Sequence, residues 1–176
     1  MEEYNRAMRW LVDGYNVIRC APALAAREQE SLEAGREALC RLLSGAARAS
    51  GDQFTVVFDG TRAGGAAFGA PGVRVLFSPA SERADHVLAR LAGAGVAVVT
   101  NDREVRRAVA RAGAVAVTAD EFLARVLTPS GSGKDADEDD DVPHGPKKGN
   151  PRRLPKKARA AARALNRLAR PTKRTQ

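Results

Sequence analysis

The stretch Arg9-Trp10-Leu11-Val12-Asp13-Gly14-Tyr15-Asn16-Val17-Ile18, RWLVDGYNVI, places a carboxylate and then a glycine at the end of an apolar run. Residues 10–12 read as a short buried strand, apolar at every position instead of alternating. A strand without a polar face belongs inside a parallel sheet that helices cover on both sides. Gly14 reads as the point where the chain turns tightly away from that sheet.

The chain as far as residue 127 extends the pattern. Further strand candidates lie at residues 54–58, 73–77, 96–99 and 115–117, rich in Val and Phe and bounded by Gly, Pro, Asp or Ser. Helical spacing fills the gaps. Residues 30–49 gather Leu32, Leu39, Leu42, Leu43 and Ala46 on one side, with Glu37 and Arg41 at a supportive i,i+4 spacing opposite. Residues 82–94 repeat the device with Ala84, Val87, Leu88 and Leu91, and residues 102–112 with Val105, Ala108, Val109 and Ala112. Thr118 and Glu121 form a capping-box signature for a last helix carrying Phe122, Leu123 and Val126. Alternating β and α elements predict an α/β fold with a parallel sheet of about five strands.

Three of these strands end on an acid: Asp13 in WLVDGYN, Asp59 in TVVFDGT and Asp102 in AVVTND. In a parallel sheet the carboxyl ends share one edge, and open α/β sheets hold their ligands there. Asp85, in ASERAD, falls early in the helix after the third strand, three residues before Leu88, so it borders the face packed on the sheet. Carboxylates confined to one pocket repel unless a cation shares it. Hard divalent ions, Mg²⁺ or Mn²⁺, suit all-oxygen ligands, and the chemistry they enable is phosphodiester hydrolysis.

Each acid also has a structural alternative. Asp13-Gly14 and Asp59-Gly60 fit plain turns, Asp85 fits a solvated helix position, and Asp102 fits a first-turn charge behind an Asn101 cap with Glu104 reciprocal. His86 reads as a surface residue. No Ser-His-Asp or Cys-His arrangement is present, and Cys20 and Cys40 read as buried spectator thiols. FDGT lacks the second aspartate of a D-x-D-G-T phosphatase motif, because Val57 stands two residues before Asp59. Residues 60–72, GTRAGGAAFGAPG, lack the Gly-Lys-Ser/Thr ending of a phosphate loop and read as a loop beside the acidic edge carrying Arg62.

The charge is uneven. Residues 1–127 hold 16 Arg against 15 acids, residues 128–145 one Lys against six acids, and residues 146–176 hold 12 Lys and Arg with no acid, which sum to the net +8. The division is a near-neutral domain at 1–127, an acidic linker at 128–145 and a basic tail at 146–176. Such a tail suits electrostatic attachment to RNA. Within it Arg159, Arg163 and Arg167 fall at i+4 spacing, on a segment whose mutual repulsion leaves a helix marginal until it binds. Arg103, Arg107 and Arg111 form a second stripe on the helix after Asp102, suited to phosphate or to solvent. No apolar run approaches the roughly 18 residues of a membrane span, and MEEYNRAM is unlike a secretory signal, so a cytoplasmic protein is expected.

The wording of the motifs adds to this. LVDGYNVI, VVFDGT, ERADHVLARL and VVTNDREVRR, in that order over about residues 8–127, resemble the NYN domain, a branch of the PIN-like nuclease superfamily, and most of all its bacterial YacP-like members. The resemblance implies a three-layer PIN-like fold and a metal-dependent endoribonuclease of single-stranded RNA, with ribosomes as partners of some YacP-like proteins. A non-catalytic RNA- or ribosome-binding adaptor on the same scaffold is the rival. The resemblance puts Asp13, Asp59, Asp85 and Asp102 on the acidic motif positions and Asn16 on the Asn of the first motif. Thr100 and Asn101 stand where a Ser or Thr often precedes the last acid, and Arg106 where a Gln is frequent, departures that bear on substrate contacts more than on metal binding.

Overall fold

The apolar run at residues 10–12 becomes the middle of strand β1 (Arg9–Asp13) in a computed structural model that describes residues 7–60, 69–128 and 155–168. The other strands follow as β2 (Gln53–Phe58), β3 (Val73–Phe77), β4 (Val96–Val99) and β5 (Val115–Val117). All five pair in parallel in the order β3-β2-β1-β4-β5, so β1 is central. Its residues 10–12 are buried on both faces, as the missing alternation requires.

Helices α1 (Gly14–Cys20), α2 (Pro22–Glu30) and α3 (Leu32–Ser50) carry the chain from β1 to β2. Their buried residues Val17, Ile18, Leu24, Leu39 and Leu43 join Trp10, Val12, Phe54, Val56 and Val99 on one face. Helices α4 (Ala84–Leu91) and α5 (Arg103–Arg111) cover the other, where Val87, Leu88, Val105 and Val109 meet Leu11, Val57 and Val98. Two cores divided by the sheet make the three layers expected of the class. Among the described residues, no helix is long and apolar enough to cross a membrane.

Local chemistry explains the boundaries. Ser31 caps α3 by accepting the Ala34 N–H, and Gly51 closes that helix in the left-handed conformation at φ 75°. Thr118 and Glu121 form the expected capping box at the start of α6 (Ala119–Val126). At the amino end of the sheet, buried Asp52 accepts the Met8 N–H at 2.8 Å and the Trp10 indole N–H at 3.0 Å, tying β1 to the chain entering β2.

Four expectations need correction. Helices α1 and α2 fill residues left without an element, and Gly14 begins a helix instead of forming a turn. Gly14 is needed for closeness: a Cβ there would sit 2.3 Å from Cε1 of the buried Phe58 ring. Leu32 is half exposed, because it opens α3 ahead of the residues that reach the sheet. Finally, part of the basic tail belongs to the domain. Helix α7 (Lys156–Leu168) buries Ala161, Ala164, Leu165 and Leu168 in the same core as Phe122 and Leu39, beside β5 and α6. Their i, i+3, i+4, i+7 spacing is a packing stripe, and burying it offsets the charge repulsion that leaves an isolated helix marginal. The acidic residues 135–141 and the remaining basic positions lie outside the described residues.

Candidate active site at the carboxyl edge

Strands β2, β1 and β4 are neighbours, so their carboxyl ends deliver Asp59, Asp13 and Asp102 side by side. The order of connection reverses between β1 and β4, the position at which open α/β sheets form a ligand crevice. Asp85 enters from the first turn of α4.

Local bonds hold each acid. Asp13 Oδ2 accepts the Thr100 hydroxyl at 2.9 Å, and Thr100 Oγ1 in turn accepts the Asp102 N–H at 3.2 Å. Asp59 Oδ1 accepts the hydroxyl of buried Ser78 at 2.9 Å and the Ala84 N–H at 3.3 Å. Asp102 caps α5, its Oδ1 accepting the N–H groups of Glu104 at 2.7 Å and Val105 at 3.1 Å. Asp102, and not Asn101, is therefore the cap. Asp85 Oδ2 lies 3.3 Å from a guanidinium nitrogen of Arg83.

Burial pushes the Asp13 carboxyl above its ordinary value; the Thr100 hydroxyl and the Asn16 backbone N–H pull it back, and the charges of Asp85 and Asp102 push it further up. Asp13 thus feels two of the other three acids through space. The donors are hard carboxylate oxygens without His or Cys, which fits Mg²⁺ or Mn²⁺ in kind. Their spacing is open: among the described residues no three His, Cys, Asp or Glu side chains converge closely enough to hold one ion.

Asn16 and Asn101 frame the site. Asn16 Oδ1 accepts the Asn101 N–H at 2.9 Å, while the Asn101 amide accepts the Ala119 N–H at 2.9 Å and donates to Asp120 at 2.8 Å. It also donates to Cys20 Sγ at 3.2 Å, and that thiol is pushed up by burial first and then by the Asp120 charge. One side chain therefore fastens the β4–α5 turn to α1 and α6.

The basic candidates spread out. Arg103, Arg107 and Arg111 are exposed along α5, and at about 1.5 Å per residue the last lies roughly 12 Å farther along the helix than the first. Arg106, between them, is partly buried, and its Nε has no partner among the described residues. Arg159, Arg163 and Arg167 are exposed on α7. Arg62 lies outside the described residues, and His86 is exposed. Sequence reading missed Ser78 and Arg83 beside the acids; the only available signal for either was its place next to an acid motif.

A family model described as the YacP-like NYN domain matches residues 10–167, a span that includes α7. Two crystal structures of Rae1 (YacP) from Bacillus subtilis are similar in fold. One, of a mutant form, is 28% identical with a TM-score of 0.57, covering 68% of this chain and 75% of that one. The other is 27% identical with a TM-score of 0.55, covering 67% of this chain and 72% of that one. No curated protein matches the chain. The family is related to nucleases acting on RNA, and the matched span runs from the central strand to the last helix. This chain belongs to the YacP-like NYN domain family.

Proposed function

We propose that the chain is a metal-dependent endoribonuclease that hydrolyses phosphodiester bonds of single-stranded RNA at Asp13, Asp59, Asp85 and Asp102, in the cytoplasm and in association with ribosomes. The observation that carries the reading is the electrostatics at β1: Asp13 is half-buried, and its carboxyl is pushed up by burial and by the Asp85 and Asp102 charges. A fold that sets Asp13 within reach of the Asp85 and Asp102 charges favours a cation at that edge.

Mg²⁺ or Mn²⁺ bound by the four acids would supply a nucleophile at neutral pH and charge stabilisation for the leaving oxygen. The chain's own part is orientation. Thr100 fixes Asp13 and the Asp102 backbone together, Ser78 fixes Asp59, and α5 fixes Asp102 through its first N–H groups. Each carboxylate so has a protein partner that fixes its place at the edge. Arg103, exposed and next to Asp102 in the chain, supports a phosphate contact near the acids, and the exposed Arg159 and Arg163 supply further positive charge on α7.

The adaptor reading has one observation in its favour, the open spacing of the acids. Labelled single-stranded RNA and DNA incubated with Mn²⁺ or Mg²⁺ separate the readings. The nuclease cleaves RNA, stops on chelation and loses roughly 100-fold or more in Asp13→Asn and Asp102→Asn. Equal cleavage by wild type and variants, or none at all, rejects it in favour of the adaptor.

A further inference from the structure

The four acids were expected, but the cation paired with one of them was not. Arg83 is the residue before α4, with its side chain 75% exposed and its guanidinium 3.3 Å from Asp85 Oδ2. Arg19, Arg27, Arg41 and Arg90 also form ion pairs, each with a glutamate and not with one of the four acids. Among the described residues, only the Arg83 pair engages one of the four acids. Arg83 is also joined to a second acid through its neighbour, because the Ala84 N–H donates to Asp59.

An exposed ion pair of this kind is weak and easily exchanged, since water screens it and both side chains lose freedom in making it. Guanidinium presents paired donors that match a phosphate as well as a carboxylate. Arg83 therefore stands where two anions compete: the Asp85 carboxylate in the free protein and a phosphodiester arriving at the edge.

We propose that Arg83 is a phosphate-contacting residue of the site, which pairs with Asp85 until an RNA phosphate takes its guanidinium and releases the Asp85 carboxylate. The inference rests on RNA being the substrate, and it deepens that reading by assigning the contact to a residue outside the acidic set. The exchange breaks one ion pair and forms another, with no covalent step.

The test is a binding cycle on the full chain without divalent ions, so that no cleavage occurs. A fluorescent single-stranded RNA is titrated by anisotropy into wild type, Arg83→Ala, Asp85→Asn and the double variant. Arg83→Ala weakens binding about five- to tenfold and lowers the salt slope by about 0.7, the value for one phosphate contact on a single strand. Asp85→Asn tightens binding by releasing Arg83, and the gain shrinks at least threefold in the Arg83→Ala background. Arg83→Lys keeps the salt slope while losing part of the affinity. Unchanged binding in Arg83→Ala overturns the proposal. So does an equal gain from Asp85→Asn in both backgrounds, which is the signature of general charge removal. Melting curves of all five proteins are expected to agree within a few degrees, as suits an exposed pair. Cleavage in Mn²⁺ is scored separately. A coupled cycle without cleavage removes the nuclease reading and leaves Arg83 as an RNA contact, whereas cleavage without coupling removes only Arg83.

Discussion

The side-chain oxygen of Asn16 accepts the backbone N–H of Asn101 at 2.9 Å, joining the first turn of α1 to the turn that presents Asp102 across 85 residues of chain. Asn16 is thus a positioning residue in the described geometry. Asn16→Ala leaves that N–H without a partner at a half-buried position, at a cost of about 1–3 kcal/mol. RNA cleavage is expected to fall at least tenfold while RNA affinity in anisotropy titrations stays near wild type. A loss of affinity equal to the loss of cleavage would show that Asn16 contacts RNA instead.

Asp13→Asn is expected to raise the melting temperature at pH 7 in the absence of divalent ions. The native Asp13 carboxyl is raised, chiefly by burial, above its unfolded value of about 3.9. Its stabilising contribution is therefore complete below the unfolded value and is lost as pH rises through the native one. Asparagine stays neutral, so the variant's advantage grows with pH through that window and vanishes at its acid end. Mn²⁺ reverses the order, because an ion that binds the native acids stabilises the wild type more. Thermal melts from pH 3 to pH 8, with and without Mn²⁺, measure both effects.

Gly14→Ala is destabilising despite lying in a helix. Alanine gains about 1 kcal/mol of helix propensity over glycine. The new methyl meets Phe58, which is fully buried and packed between Tyr15 and Phe77, so the ring has nowhere to move. Overpacking typically costs about 1–3 kcal/mol, so the net change is a loss of roughly 0–2 kcal/mol. Activity falls with it, because Phe58 precedes Asp59. Denaturant titration gives the stability change, and a net gain would show that the strand end yields readily.

Two substitutions in α7 separate its two faces. Leu165→Ala removes a buried side chain from the shared core and costs roughly 2–5 kcal/mol. Arg163→Ala, exposed, changes stability by less than about 0.5 kcal/mol and weakens RNA binding in a salt-dependent way. If Leu165→Ala leaves the melting curve unchanged, α7 contributes nothing to the folded domain.

Most of the sheet was legible. All five strands lie where Val-rich and Phe-rich runs predict them, and the central ones, buried on both faces, show no polar alternation. Helices α1 and α2 were not legible. Residues 14–30 have no sustained apolar spacing, and α2 buries only Leu24. Arg36 was not legible either. It is buried among Tyr15, Phe58 and Phe77, donating to the Tyr15 hydroxyl, a setting that needs three distant rings to assemble before it exists.

The sequence by itself determined the five strands, the parallel class and the four acids with their motif order. Hydrophobic periodicity is local and an acid at a strand end can be read in place. Only the tertiary structure decided that β1 lies between β2 and β4, so that Asp13 feels Asp85 and Asp102, and that Arg83 pairs with Asp85. It also decided that α7 packs against the domain. Strand order, charge proximity and helix docking are relations between residues far apart in the chain. They exist only once folding has brought those residues together.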